Sequence, residues 1–268
     1  MTKLAFAFGF GLLLFAPGAA AQLPSTVMLE ALTWTELRDR IAGGATTILV
    51  PIGGTEQNGP HMTLGKHNVR AKVLAEKIAV ALGNALVAPV MAYVPEGSLD
   101  PPAGHMRFPG TITVSAATFE AVLESAGRSL MLAGFRDIVF LGDHGGYQKD
   151  LQASAARLNA EWKASAVRAH AIVDYYAVGQ TAFVQSLRDR GYRDDDIGAH
   201  AALADTSLAL AVDPTLVRSE RLHSGAKLTT VDGVYGDPRR ANADIGRIGV
   251  DMIVTRSVEA IRKATASR

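Results

Sequence analysis

A carboxylate and two imidazoles crowd into one short segment: Glu56, His61 and His67 lie within Glu56-Gln57-Asn58-Gly59-Pro60-His61-Met62-Thr63-Leu64-Gly65-Lys66-His67. The segment directly follows an apolar, β-branched run, Thr47 to Ile52. The carboxyl end of such a strand is where an α/β protein builds a site. A second run, Ile138-Val139-Phe140-Leu141, ends in Gly142-Asp143-His144-Gly145-Gly146, which puts another imidazole on a glycine-rich turn. Two strand ends can therefore converge on one ion. The chain has no cysteine, so any metal must sit on His, Asp, Glu or Asn, donors that suit Zn, Mn or Fe rather than an iron–sulfur cluster. Taken singly, these side chains also have structural uses: Glu56 could cap the following helix and His67 could face solvent.

The elements that must position them alternate along the chain. Thr33-Trp34-Thr35-Glu36 has the spacing of a helix-entry capping box. Strands are expected at Thr46 to Ile52, Ala85 to Val90, Asp137 to Leu141 and Val167 to Val173. Helices are expected over Val69 to Leu82, from Ser115 to a stop at Gly134, and over Leu151 to Trp162, Ala177 to Arg188, Ala199 to Val212 and Asp244 to Lys263. Strands apolar on both faces, alternating with helices, predict an α/β fold: a mostly parallel sheet flanked by helices on both faces, in a single domain.

The amino terminus has the form of an export signal, with Lys3, the apolar run Leu4 to Phe15 and the small residues Ala19-Ala20-Ala21. The expected division is a signal peptide over 1–21 and one hydrolase-sized domain over 22–268. The apolar run falls short of the roughly 20 residues that span a bilayer, so no membrane contact is expected after cleavage. Localisation would then be periplasmic or secreted, with the fold held by an ordinary core and no disulfides. A formal net charge of +1, spread along the chain, argues against nucleic acid as a partner.

Five ordered stretches resemble the creatininase (creatinine amidohydrolase) family. Pro51-Ile52-Gly53-Gly54-Thr55-Glu56-Gln57-Asn58-Gly59-Pro60-His61, followed by Leu64-Gly65, is similar to its signature P-x-G-S-x-E-Q-H-G-P-H-L-P-x-G-T-D. Phe108-Pro109-Gly110-Thr111 resembles its FPGT turn, and Gly134-Phe135 with Gly142 to Gly146 resembles G-F … N-G-H-G-G-N. His200-Ala201-Ala202-Leu203-Ala204-Asp205-Thr206-Ser207 resembles H-A-G-E-x-E-T-S, and Gly233-Val234-Tyr235-Gly236-Asp237-Pro238 resembles G-V-x-G-D-P.

The resemblance implies a two-metal hydrolytic site, from which this chain departs. Glu56 and His144 match metal ligands. The ligand histidine of the signature is Asn58 here, the aspartate that bridges both metals falls on His67, and the remaining carboxylate falls on Gly146 or Leu203. What remains is a two-histidine, one-carboxylate set, Glu56, His67 and His144, with coordination positions open. One divalent ion is expected, zinc first, with manganese or iron accepted by the same donors and a weak second ion through Asn58 or Asp205. The resemblance makes His200 the proton carrier to a leaving nitrogen, with Asp205 orienting it or a water. His61 would touch substrate or support a ligand, His105 would line the pocket or brace the FPGT turn, and Tyr147 would bond substrate or pack.

The expected function is metal-dependent hydrolysis of a C–N bond in a small amide, cyclic amides included, by metal-activated water, in a homo-oligomer such as a hexamer. The alternative is a periplasmic small-molecule-binding protein that keeps the scaffold without turnover.

Overall fold

In a computed structural model of the protein, which describes residues 25–222, 225 and 227–266, the sheet has four parallel strands: β1 (Thr47–Ile52), β2 (Ala85–Val87), β3 (Asp137–Gly142) and β4 (Arg168–Ala171), ordered β2-β1-β3-β4. The proposed signal peptide lies outside the described residues. Among those residues no helix is long and apolar enough to cross a membrane.

The two central strands are buried along their whole length, which is why their sequences run apolar without alternation. Their side chains still alternate in direction. Ile48, Val50, Ile52, Ile138 and Phe140 face a layer that includes Phe119 and Leu123 of α3 (Ala116–Ala133) and Leu151 and Leu158 of α4 (Gln148–Glu161). Leu49, Val139 and Leu141 face the other, built on α2 (Lys66–Leu82), α5 (Asp174–Gln180), α6 (Ala182–Asp189), α8 (Leu203–Val212) and α10 (Ala243–Ala266). The short helices α1 (Trp34–Ala42), α7 (Asp194–Ile197) and α9 (Ser219–Leu222) complete the set. Helices thus cover both faces, as the pattern predicts.

Local chemistry sets the boundaries. Thr33 and Glu36 form the reciprocal capping box at α1, and Ser115 accepts from Thr118 N–H at the start of α3. The helix expected over Ala177 to Arg188 breaks in two at Thr181, whose hydroxyl donates to the Ala177 carbonyl at 2.7 Å and competes with the backbone ladder. Gly246 lets α10 lie directly on α8, because a Cβ there would run into the Ser207 carbonyl oxygen. That close approach seats α8, whose amino-terminal approach carries His200.

Candidate metal centre

The carboxyl ends of β1 and β3 open onto a cavity of about 170 Å³ lined by Lys66, His67, Arg70, His105, His144 and His200, among others. Glu56 enters from the loop between β1 and α2, and His144 from the turn after β3. His105 comes from the single turn Gly104–Arg107, and His200 from the segment before α8. His200 is held by a two-residue antiparallel bridge to Tyr235. It is followed by Ala201 at φ 51, a left-handed conformation that a residue bearing a Cβ adopts only when its surroundings impose it. The Ala201 N–H donates to Asp205 Oδ2 at 3.0 Å.

Glu56 is fully buried and stands at the centre. Its Oε1 accepts from His67 Nε2 at 2.8 Å. Its Oε2 lies 3.1 Å from His105 Nε2 and 3.5 Å from His144 Nε2, yet no hydrogen bond reaches it. One ligand atom each from Glu56, His105 and His144 all lie within 4.8 Å of one another. Donors bound to one zinc at about 2.0–2.2 Å in tetrahedral array stand roughly 3.4 Å apart. The orphaned oxygen and the two imidazole nitrogens therefore fit a common ion better than they fit each other. Burial opposes the Glu56 charge, but the His67 hydrogen bond and the neighbouring Lys66 ammonium outweigh it and hold this carboxyl well below its usual range. Burial lowers His105, and pushes His144 down to about 4. Both imidazoles are thus neutral near pH 7, the state a ligand needs.

Several sequence expectations are placed differently. His67 is not among the three clustered donors: its Nδ1 bonds Asp143 Oδ2 at 2.6 Å while its Nε2 is spent on Glu56. Its place on the first turn of α2 aims it at Asp143, so it anchors Glu56, and the second imidazole among the clustered donors is that of His105. Asn58 turns away, donating to the Glu56 and Thr63 carbonyls at 2.9 and 3.0 Å. His61 is buried against the Thr206 hydroxyl at 3.0 Å, outside the cavity lining. Asp205 touches no part of the His200 ring by a hydrogen bond; it accepts from Ala201 N–H, Lys66 Nζ and Arg70 Nη1, the last at 2.8 Å.

Tyr147 is completely buried and lies outside the cavity lining, where Tyr176 appears instead. Its hydroxyl donates toward the Gly53 and Ile52 carbonyls at 2.6 and 2.9 Å, and accepts from the Asp143 and His144 N–H groups at 3.1 Å each. It therefore ties the ends of β1 and β3 together. Tyr147→Phe strands the His144 N–H and is expected to cost about 1–3 kcal/mol of stability in a denaturant titration. An unchanged midpoint would reject the clamp.

Four further residues complete the site: Gln57, which lies inside the family-like signature, and Lys66, Arg70 and Glu96, to which no motif draws attention. The Gln57 amide nitrogen, with two hydrogens to give, lies 2.9 Å from His105 Nδ1 and 3.1 Å from the Gly233 carbonyl and so braces the His105 ring, while its backbone carbonyl oxygen lies 3.0 Å from His200 Nε2. Lys66 is 1% exposed; its ammonium bonds Asp205 and lies 4.0 Å from Glu56 Oε1. Arg70 donates from Nε to both Asp143 oxygens at 3.1 and 2.8 Å. Glu96 has both oxygens buried without a hydrogen-bond partner, Oε2 being 3.5 Å from His144 Nδ1. Burial, then the Glu56 charge, pushes its carboxyl up to about 9. Its only sequence signal is a single acid in an apolar, Pro/Gly-containing loop.

The sequence model of a family described as "Creatininase: Creatinine amidohydrolase" matches residues 30–261. The chain belongs to the creatininase family. Among relatives, the creatinine amidohydrolase of Pseudomonas putida is 28% identical over 226 residues, covering 82% of this chain and 86% of the relative. The mycofactocin precursor peptide peptidase of Mycolicibacterium smegmatis is 30% identical over 231 residues, covering 77% and 81%. A crystal structure of creatinine amidohydrolase superposes with a TM-score of 0.76 at 24% identity, covering 91% of this chain and 100% of that one. Solved creatininases include a Zn-Zn form of a mutant and a Mn form. Family membership and the clustered donors together make this a candidate metal centre of a creatininase-family protein.

Proposed function

We propose that the protein hydrolyses the C–N bond of a small amide at a single divalent ion, zinc before manganese or iron. The observation that carries the reading is the cluster of one buried carboxylate and two imidazoles, Glu56, His105 and His144, with one ligand atom from each within 4.8 Å of the others. An ion held by Glu56, His105 and His144 supplies Lewis-acid polarisation of a carbonyl and acidifies water. The cavity of about 170 Å³ is smaller than the roughly 300–1,000 Å³ of drug-sized pockets and suits a small polar substrate or the end of a longer one.

The chain's own groups then handle the proton. The Gln57 carbonyl oxygen, which can only accept, lies 3.0 Å from His200 Nε2, so the ring proton belongs on Nε2 and Nδ1 presents a lone pair. Burial, then the Lys66 charge, pushes His200 down to about 3, so it starts as a base. It takes a proton from the attacking water and returns it to the leaving nitrogen, a two-way role that replaces the simple donor expected from sequence. Asp205 holds the His200–Ala201 turn through the Ala201 N–H and serves as a positioning group.

Export by cleavage after Ala21 and assembly into a homo-oligomer belong to the same proposal, the first resting on the Lys3 and Leu4 to Phe15 pattern, the second on family likeness. Elemental analysis of purified protein, followed by an amide and dipeptide hydrolysis screen with and without chelator, tests the central reading. About one ion per chain and turnover that chelator removes and metal restores are expected. A protein that binds no ion and turns over nothing would instead be the binding-only alternative.

A further inference from the structure

Among the described residues Lys66 is the one lysine that is buried, and it is one of the residues that line the cavity beside the clustered donors. A buried ammonium is expensive unless its surroundings use it. One of its three N–H donors goes to Asp205. Glu56 Oε1 is 4.0 Å away, beyond hydrogen-bond range, and already accepts from His67. Arg70 reaches the other Asp205 oxygen at 2.8 Å but also serves Asp143 through Nε, so Asp205 shares one guanidinium and draws its strongest charge compensation from Lys66. Lys66 therefore has a structural partner in Asp205, and the same ammonium sets a fixed positive charge at the cavity, with two N–H donors left over.

We propose that Lys66 Nζ is the second electrophile of the site: a built-in cation that binds the carbonyl oxygen of the amide and the charge that grows on it. This rests on the amide-hydrolase reading above. Water oxygen bonds to the carbonyl carbon, the C–N electron pair leaves with nitrogen, and the proton passed through His200 caps that nitrogen, giving an acid and an amine. Lys66 keeps its proton throughout and contributes by position, since donors fixed in advance at a developing oxyanion act without reorganisation. A compact ammonium suits this role because it is a point charge at the end of a four-carbon stem. A side chain that supplies the second positive charge also lets one ion suffice where the sequence has lost donors at Asn58, Gly146 and Leu203.

The test compares wild type, Lys66→Met and Lys66→Arg, each loaded with zinc, by three readouts. These are ion stoichiometry by elemental analysis, calorimetric binding of acetate as a carboxylate probe, and kcat and KM on whichever amide wild type hydrolyses. Expected are one ion per chain in all three, acetate bound at least 10-fold more weakly by Lys66→Met, and kcat lowered about 100-fold with KM little changed. Lys66→Arg should recover part of the acetate affinity. Lys66→Gln serves if the Met variant fails to fold. Two ions per wild-type chain, no acetate binding by wild type, or equal acetate affinity in wild type and Lys66→Met would each overturn the proposal. Absence of turnover in wild type with the acetate difference intact would overturn only the hydrolase reading and leave Lys66 as an anion-binding cation.

Discussion

Glu56→Gln is expected to lower ion affinity at least 100-fold and kcat/KM about 1,000-fold or more, with the fold retained. The exchange is isosteric, so Oε1 can go on accepting from His67 Nε2, now 2.8 Å away. The amide NH2 then takes the place of Oε2, between His105 and His144 at 3.1 and 3.5 Å. It carries hydrogens where a lone pair is required, and an amide nitrogen does not coordinate a divalent ion. Loss of a ligand outright should exceed the roughly 10–100-fold cost of losing a group that merely orients one. Stability should move less than function. The exchange removes one buried negative charge while Lys66 stays charged and keeps its bond to Asp205, so the cost of the unbalanced charge is limited by a partner that remains. Metal titration of chelated protein and a thermal melt check both statements. A variant that holds the ion as tightly as wild type would remove Glu56 from the centre.

The fold was readable because burial on both faces writes itself into composition. Ile48 to Ile52 and Ile138 to Leu141 are apolar without a break, and the caps at Thr33 and Ser115 obey local rules that tertiary contacts do not override. The site was readable by neighbourhood but not by role. Glu56, His144 and His200 follow strand ends or flank a helix start in stretches that match the family, and all reach the cavity. His67 and His105 exchange parts for a reason sequence spacing does not contain. Asp143 and Arg70 meet only when β3 and α2 pack, and Asp143 then captures His67 from 76 residues away in the chain. His105 gains its place because the Gln57 amide meets it across 48 residues. Asn58, His61 and Tyr147 look like site residues because they sit inside motifs, but their side chains satisfy backbone or neighbouring side-chain groups. Lys66 and Glu96 could not be seen in advance, since a lone charge in a sequence is far more often solvated than buried.

His200→Asn should lower kcat about 100- to 10,000-fold, the usual range for losing a positioned acid–base group, while ion occupancy stays at the wild-type level. Its ring touches Glu56 only at 3.8 Å from Nδ1 to Oε1, so removing it leaves all three clustered donors in place. The pH profile separates a base that starts neutral from an acid that starts charged. Because burial and the Lys66 charge push His200 down to about 3, its active neutral form is fully present at pH 6 and above. A residue that had to begin protonated, with an ordinary imidazole value near 6.5, would lose activity as pH rises through that value. The expected kcat/KM is instead level from about pH 6 to 8, with no falling alkaline limb from this group. Activity should drop on acidification toward pH 4, where His144, held down to about 4, takes up a proton and gives up the ion. In His200→Asn the acid limb should persist at a reduced rate, because it belongs to His144, and added imidazole should restore part of the turnover at pH 7. A wild-type profile that falls between pH 6 and 7.5 would mean that His200 begins as the proton donor, and the lone pair at Nδ1 would no longer be the group that starts the reaction.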